Sequence, residues 1–231
     1  MAFLDKEKAG WYNQSGIIPI LLGLGRKSFS FFERRRKMED HIAKVLLTEE
    51  QIKAKVKELG QKITEDYRGK NLMIIGILKG AVVFLADLVR EIRAPLKIDF
   101  MAVSSYGRST RTSGVVRILK DLEGDISNYD VLIVEDIIDT GLTLSYIKEN
   151  IASRNPASLK ICAIFDKPSR RKVKLEADYS GFVVPDEFVV GYGLDFNGLY
   201  RNLPYAGVLK PEYYQERDKH ENPKPNTGKG K

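Results

Sequence analysis

Val131-Leu132-Ile133-Val134-Glu135-Asp136-Ile137-Ile138-Asp139-Thr140-Gly141-Leu142-Thr143 joins an apolar run to two adjacent carboxylates and then to the polar start of a helix. Residues 131–135 read as a strand buried on both faces, residues 136–143 as its loop, and a helix follows from about Leu142 to Ile151. A strand with no polar alternation must be covered on both sides, which is the condition of a parallel sheet between layers of helices.

The same succession repeats outward from this stretch. Residues 72–78 form another apolar run, and a helix over 81–92 follows with Val82, Leu85, Leu88 and Val89 inward, so Leu78-Lys79-Gly80 is a strand-to-helix turn. Residues 97–104 and 159–166 supply two further core strands, while 115–119 reads as a returning antiparallel strand after the polar loop 105–114. Upstream, Thr48 and Gln51 have the spacing of a capping box ahead of an apolar stripe of Ile52, Val56, Leu59, Ile63 and Tyr67. Downstream, residues 181–209 are rich in aromatics and broken by Pro185, Gly191, Gly193 and Gly198, the composition of a small C-terminal hood subdomain. Strands alternating with helices predict an α/β fold with a mostly parallel central sheet flanked by helices.

The chain has 231 residues, 43% of them hydrophobic, and a formal charge of +7. That charge sits at the ends. Residues 1–37 carry eight basic and three acidic side chains, residues 211–231 five and four, and 38–210 retain only +1. A nearly neutral body offers no basic groove, so no nucleic-acid partner is expected. Residues 1–37 show no sustained period and read as an N-terminal extension of poor order or the product of an upstream start; 38–213 form the domain, and 214–231 a disordered polar tail. Neither end is expected to contribute to a ligand site. The single cysteine, Cys162, falls in an apolar run and reads as a packing residue. No run reaches the roughly 18 apolar residues of a membrane span; the nearest, 17–24, contains Pro19 and is followed by basic residues. A cytoplasmic protein without a membrane partner is the expectation.

In an open α/β sheet ligands bind beyond the carboxyl ends of the strands, so the loops there carry the chemistry. Glu135 and Asp136 are costly to bury unless a cation and hydroxyl groups satisfy them, and a ribose with Mg²⁺ would do both. Asp139, Thr140, Gly141 and Thr143 then open a helix, presenting backbone N–H groups and two hydroxyls to a phosphate. Asp-Thr-Gly alone would serve equally as an acidic N-cap; the whole run is more specific.

This run resembles the diphosphate-sugar signature of the type I phosphoribosyltransferases, and its Glu-Asp-Ile-Ile-Asp-Thr-Gly form resembles the hypoxanthine-guanine branch. The resemblance covers about residues 45–209 and rests on several separated motifs. It implies purine salvage: transfer of the phosphoribosyl group from 5-phosphoribosyl 1-diphosphate to hypoxanthine or guanine, with xanthine a further candidate, giving the nucleotide and diphosphate with Mg²⁺ as cofactor. By position, Glu135 and Asp136 approach the ribose hydroxyls and the metal, residues 139–143 hold the 5-phosphate, and Asp139 accepts a proton near N7 of the base. Lys79 and Gly80 resemble the diphosphate loop, in which the preceding peptide can be cis. Ser105-Tyr106-Gly107 resembles a mobile lid. Lys167 would donate to the exocyclic oxygen of a 6-oxopurine, Phe188 would stack on its ring, and Val189 would offer backbone groups to its edge. Asp195 is assigned to a second Mg²⁺ through water and Arg201 to the diphosphate, a salt bridge between the two being the alternative. The resemblance also implies a homodimer or homotetramer. No histidine is needed, and His41 reads as a solvated residue.

Two other readings compete. An RNA-binding transcriptional regulator on the same fold would carry a bulky residue in place of Asp139 and a basic face, neither of which the sequence displays. The basic extension could instead recruit the protein to a surface.

Overall fold

The computed structural model describes residues 38–105, apart from the side chain of Ser105, and 116–214. The chain divides into two compact units, Met1–Asp40 and His41–Lys231. Of the first, only a helical turn at 38–40 is described. The expectations for residues 1–37, for Tyr106 and the rest of the lid loop to 115, and for the tail beyond 214 lie outside the described residues.

The second unit holds a six-stranded sheet in the order β4-β3-β2-β5-β6-β7, built from β2 (Leu72–Leu78), β3 (Leu96–Ser105), β4 (Val116–Lys120), β5 (Asp130–Ile138), β6 (Ser158–Asp166) and β7 (Tyr179–Val183). All neighbours pair in parallel except β4, which returns antiparallel along the edge of β3. A parallel sheet needs cover on both faces, and the central strands divide their side chains accordingly. Leu72, Ile74, Leu132, Val134, Cys162 and Ile164 share one core with α1 (Glu49–Asp66) and α2 (Val82–Glu91). Met73, Ile75, Ile77, Val131, Ile133, Ile161 and Ala163 share a second core with α3 (Leu142–Ala152). Each fully buried aliphatic side chain contributes about 1.5–3 kcal/mol, so these two layers carry most of the fold.

The capping box forms as read: Gln51 N–H donates to Thr48 Oγ1 (3.3 Å) and Thr48 N–H to Gln51 Oε1 (2.8 Å). Ile52, Val56, Leu59, Ile63 and Tyr67 are all buried. The inward face of α2 differs from expectation. Val82 is 42% exposed, and Phe84 is buried in its place beside Leu85 and Leu88. The helix begins at Val82, so the buried line runs Ala81, Phe84, Leu85, Leu88 and Ile92, the spacing of one helical face. Strand β5 continues to Ile138, so its loop is shorter than the expected 136–143.

A second sheet of three strands, β1-β9-β8, joins β1 (Ile42–Leu47), β8 (Val189–Val190) and β9 (Ala206–Leu209), all antiparallel. The hood is therefore not made from 181–209 alone. Its edge comes from the segment before α1, and β7, which includes Gly181, belongs to the main sheet beside β6. His41 is tied into this hood: its Nδ1 lies 2.7 Å from the Tyr200 hydroxyl and its ring stacks on Tyr213 at 3.9 Å. The solvated reading of His41 is corrected by these two contacts.

Sheet order positions the site. From β2 the chain crosses to β3 on one side and later returns to β5 on the other, with α2 and α3 on opposite faces. Connections that diverge from adjacent parallel strands leave a crevice at their carboxyl ends. Those ends carry Lys79-Gly80 after β2 and Asp139-Thr140-Gly141 after β5.

Candidate active site

At the mouth of this crevice the turn after β2 touches the last residues of β5. A Cβ on Gly80 would stand 1.5 Å from Asp136 Oδ2, so only glycine lets the Lys79-Gly80 backbone come this close to the carboxylate. The Leu78–Lys79 peptide is cis. Asp136 is buried, and its Oδ1 accepts from Ile137 N–H at 2.7 Å. Glu135 lies beside it, with its Oε1 accepting from Asp136 N–H at 3.3 Å. Burial first, and then the charge of Asp136, pushes the Glu135 carboxyl well above the usual carboxylate range. A cation at this pair would favour the charged form of Glu135. Among the described residues no group of three or more His, Cys, Asp or Glu side chains could cage a metal. Two adjacent carboxylates still suit Mg²⁺, which is held by one or two carboxylates completed by substrate phosphates and water.

A substitution tests this contact between the turn and β5. The Gly80→Ala variant must swing Asp136 off the Ile137 amide or shift the turn, and overpacking of this kind costs about 1–3 kcal/mol. At about 2–4 °C per kcal/mol for a domain of this size, its thermal midpoint should fall by about 2–12 °C. An unchanged midpoint would show that Asp136 relaxes freely.

The loop after β5 turns into α3 through Gly141, whose φ of +79° is left-handed and which makes no side-chain cap. Thr140 Oγ1 accepts from Leu142 N–H (3.4 Å), and the start of α3 has no capping carboxylate, so its amides face outward at the positive end of the helix dipole. Thr140, Gly141 and Thr143 line a cavity of 230 Å³ together with Glu135 and Ile137–Asp139. The loop backbone is held from the strand beside it. Lys167 N–H donates to Ile138 O (2.9 Å), Lys172 N–H to Thr140 O (2.9 Å) and Arg171 Nη1 to Asp139 O (2.5 Å), while Arg171 also pairs with Asp166.

A larger cavity of 720 Å³ adjoins the first, and Asp139 and Ile137 line both. Asp136, Lys167, Phe188, Val189 and Asp195 line it too, so residues from β5, β6 and the hood meet there as the sequence anticipated. Lys167 is only 7% exposed, and its Nζ donates to Glu187 O at 2.7 Å. Burial, aided by the nearby Arg170 charge, pulls its pKa below the ordinary lysine value against the opposing pull of Asp139, Asp186 and Glu187. Arg170 Nε lies 2.8 Å from Asp139 Oδ1, and Arg170 Nη1 lies 3.2 Å from Asp186. The Asp139 contact lies off the hydrogen-bonding direction. That oxygen is screened from solvent and faces Arg170, while the Asp139 side chain as a whole is 43% exposed, so a ligand proton would reach the carboxylate from its other oxygen.

Not every anticipated residue reaches this cavity. Arg201 pairs with Asp195 (2.6 Å) and donates to Gly193 O (2.6 Å), but lines a separate recess with Glu49, Lys53 and Asp87. The salt bridge given above as the alternative for this pair is thus present, and Gly198 N–H occupies the other Asp195 oxygen (2.7 Å). The Ser105 backbone ends β3 beside the crevice, while Tyr106 is outside the described residues. Sequence reasoning missed Arg170, Arg171 and Tyr214. The arginines follow Lys167-Pro168-Ser169 in a strand-end loop, so the rule that selected the other loops could have found them. Tyr214 was assigned to the tail; it is the last residue of a helical turn at 211–214 and lines the large cavity.

A crevice where an open helix start and an adjacent carboxylate pair meet under a hood is the arrangement of a phosphoribosyl-transfer fold. The defining pattern of the Phosphoribosyl transferase domain matches residues 43–197. The hypoxanthine-guanine phosphoribosyltransferases of Staphylococcus aureus and Bacillus subtilis are 55% and 54% identical over 177 and 178 residues, 77% of this chain and 99% of theirs. A crystal structure of the S. aureus hypoxanthine phosphoribosyltransferase superposes with a TM-score of 0.75 at 54% identity, over 77% of this chain and 97% of that one. The chain spans only 28% of the bifunctional TilS/HprT proteins of Listeria, to which it is 51–52% identical. It belongs to the phosphoribosyltransferase family, on the hypoxanthine-guanine branch. No helix among the described residues is long and apolar enough to cross a membrane.

Proposed function

We propose that the protein transfers the 5-phosphoribosyl group from 5-phosphoribosyl 1-diphosphate to hypoxanthine or guanine, forming IMP or GMP and diphosphate in purine salvage. The observation that carries this reading is that Asp139 lines both the small phosphate-sized cavity and the large one. A sugar 5-phosphate on the α3 amides then puts C1 near the junction, with the base in the large cavity between Ile137 and Phe188.

Base N9 forms the bond to C1 as the C1–O bond to diphosphate breaks, and the N7 proton passes to the Asp139 carboxylate. Lys167 reads the 6-oxygen with the donors left after Glu187 O, and Val189 offers backbone groups to the base edge. Glu135 and Asp136 would hold Mg²⁺ with the ribose hydroxyls, and the ion when bound supplies positive charge for the leaving diphosphate. Asp195, paired with Arg201 and Gly198 N–H, would take part in holding a second Mg²⁺ through water. The Lys79-Gly80 backbone would face the diphosphate, and Arg201, held here by Asp195 and Gly193 O beside a separate recess, would have to leave that pair to reach it. The working domain lies within residues 38–214 and assembles as a homodimer or homotetramer. The buried, unpaired Cys162 accords with a cytoplasmic location.

The test is to mix the protein with 5-phosphoribosyl 1-diphosphate, Mg²⁺ and each nucleobase. Nucleotide should form with hypoxanthine and guanine and vanish when a chelator removes the metal. Turnover that persists without divalent cations would remove Mg²⁺, and no product from either base would remove the reaction.

A further inference from the structure

Phe188 is the ring on which the base stacks in the reading above, and it is already stacked. Tyr214 lies against it with ring centroids 4.9 Å apart and planes 20° from parallel, and both rings line the cavity that holds Ile137, Asp139 and Lys167. The chain path places it there. Leu209 N–H donates to Phe188 O at 2.8 Å, carrying the β8–β9 pairing one step further, and Pro211 then opens the helical turn closed by Tyr213 N–H on Lys210 O at 3.1 Å. Successive side chains on a helical turn diverge by about 100°. With Tyr213 stacked on His41 at 3.9 Å, Tyr214 is turned to a different side, over Phe188. Phe196 meets Phe188 edge-on at 5.4 Å and 88°. Phe188 nevertheless remains 36% exposed, so ring surface is still open to the cavity after Tyr214 has covered one face.

From this geometry we infer that Tyr214 is a positioning residue of the base site, which backs Phe188 and holds its ring in the plane against which the purine stacks. The inference rests on Phe188 as the base platform. Without a backing ring, Phe188 can leave that plane by rotation about its side-chain torsions, and base binding must recover the lost order. The effect belongs to the base and not to the sugar donor, because the 5-phosphate and ribose groups lie on β5 and α3.

The experiment uses the full chain. Hypoxanthine KM, 5-phosphoribosyl 1-diphosphate KM and kcat are measured for the parent, Tyr214→Ala, Tyr214→Phe and Phe188→Leu, with thermal midpoints to confirm folding. Tyr214→Ala should raise the hypoxanthine KM by about 2- to 12-fold, the span of aromatic-pair energies at 1.4 kcal/mol per tenfold, with the donor KM and kcat within about twofold. Tyr214→Phe keeps the ring and should restore the parent KM. An unchanged hypoxanthine KM in Tyr214→Ala overturns the inference, as does failure of Tyr214→Phe to restore it. A fall in that KM also overturns it, since Tyr214 would then be competing for the face the base uses. A normal hypoxanthine KM in Phe188→Leu removes the platform and the inference with it. A raised KM there beside a normal one in Tyr214→Ala removes the role of Tyr214 alone.

Discussion

Asp139→Asn is expected to lower kcat by about 10²- to 10⁴-fold, the usual loss when a general base is removed, while the KM for 5-phosphoribosyl 1-diphosphate changes little. The asymmetry follows from where the parts sit. The phosphate contacts come from the start of α3 and from Thr140 and Thr143, which an amide at 139 leaves in place, and Arg171 holds the 139 carbonyl, not its side chain. Asparagine keeps the shape of aspartate but cannot accept the N7 proton at working pH. It also weakens the contact with Arg170, whose second carboxylate partner is Asp186. An Asp186→Asn control separates the two effects, because it disturbs Arg170 without touching the proton acceptor, and its kcat should stay within a few-fold of the parent. Near-normal turnover in Asp139→Asn would reduce Asp139 to the start of a helix.

The choice of base should respond to Lys167 just as strongly. An ammonium has three donors and no acceptor. One is spent on Glu187 O at 2.7 Å, and those remaining suit the 6-oxygen of hypoxanthine or guanine but meet another donor at the amino group of adenine. A site built around such a bond rejects the wrong partner by up to about 10⁴-fold, because its own polar groups are left unpaired. The parent should therefore favour hypoxanthine over adenine by orders of magnitude in kcat/KM. In Lys167→Met the stem length is kept and the charge lost, so the use of 6-oxopurines should fall and the ratio should collapse toward adenine. Since Lys167 is buried and Glu187 O loses its donor, the thermal midpoint must be followed as well. A folded Lys167→Met variant with an unchanged ratio, or a parent that prefers adenine, would show that Lys167 does not read the base.

Much of this was legible in the amino-acid sequence because it is encoded locally. The uninterrupted apolar runs at 72–78 and 131–134 could only be strands covered on both faces, and the stripe from Ile52 to Tyr67 behind its capping box could only be a helix with one buried side. Strand-end loops follow automatically once the strands are placed, which is why Glu135, Asp136, Asp139 and Lys167 stood out as candidates before any coordinates, whereas Phe188 was named only through the resemblance to the phosphoribosyltransferases. What the tertiary structure alone decided depends on residues distant in sequence. The pairing of β1 with β9 joins segments about 160 residues apart, and neither run carries a pattern that names its partner. Val82 and Phe84 exchange burial because the start of α2 is set by the turn beneath it, a one-residue matter to which an apolar count is blind. Arg170 finds Asp139, and Tyr214 finds Phe188, only because parallel strands and the hood bring separate loops to one cavity. Local periodicity reports which face of an element is buried; which side chains meet across the site is set by sheet order and chain path, which periodicity does not contain.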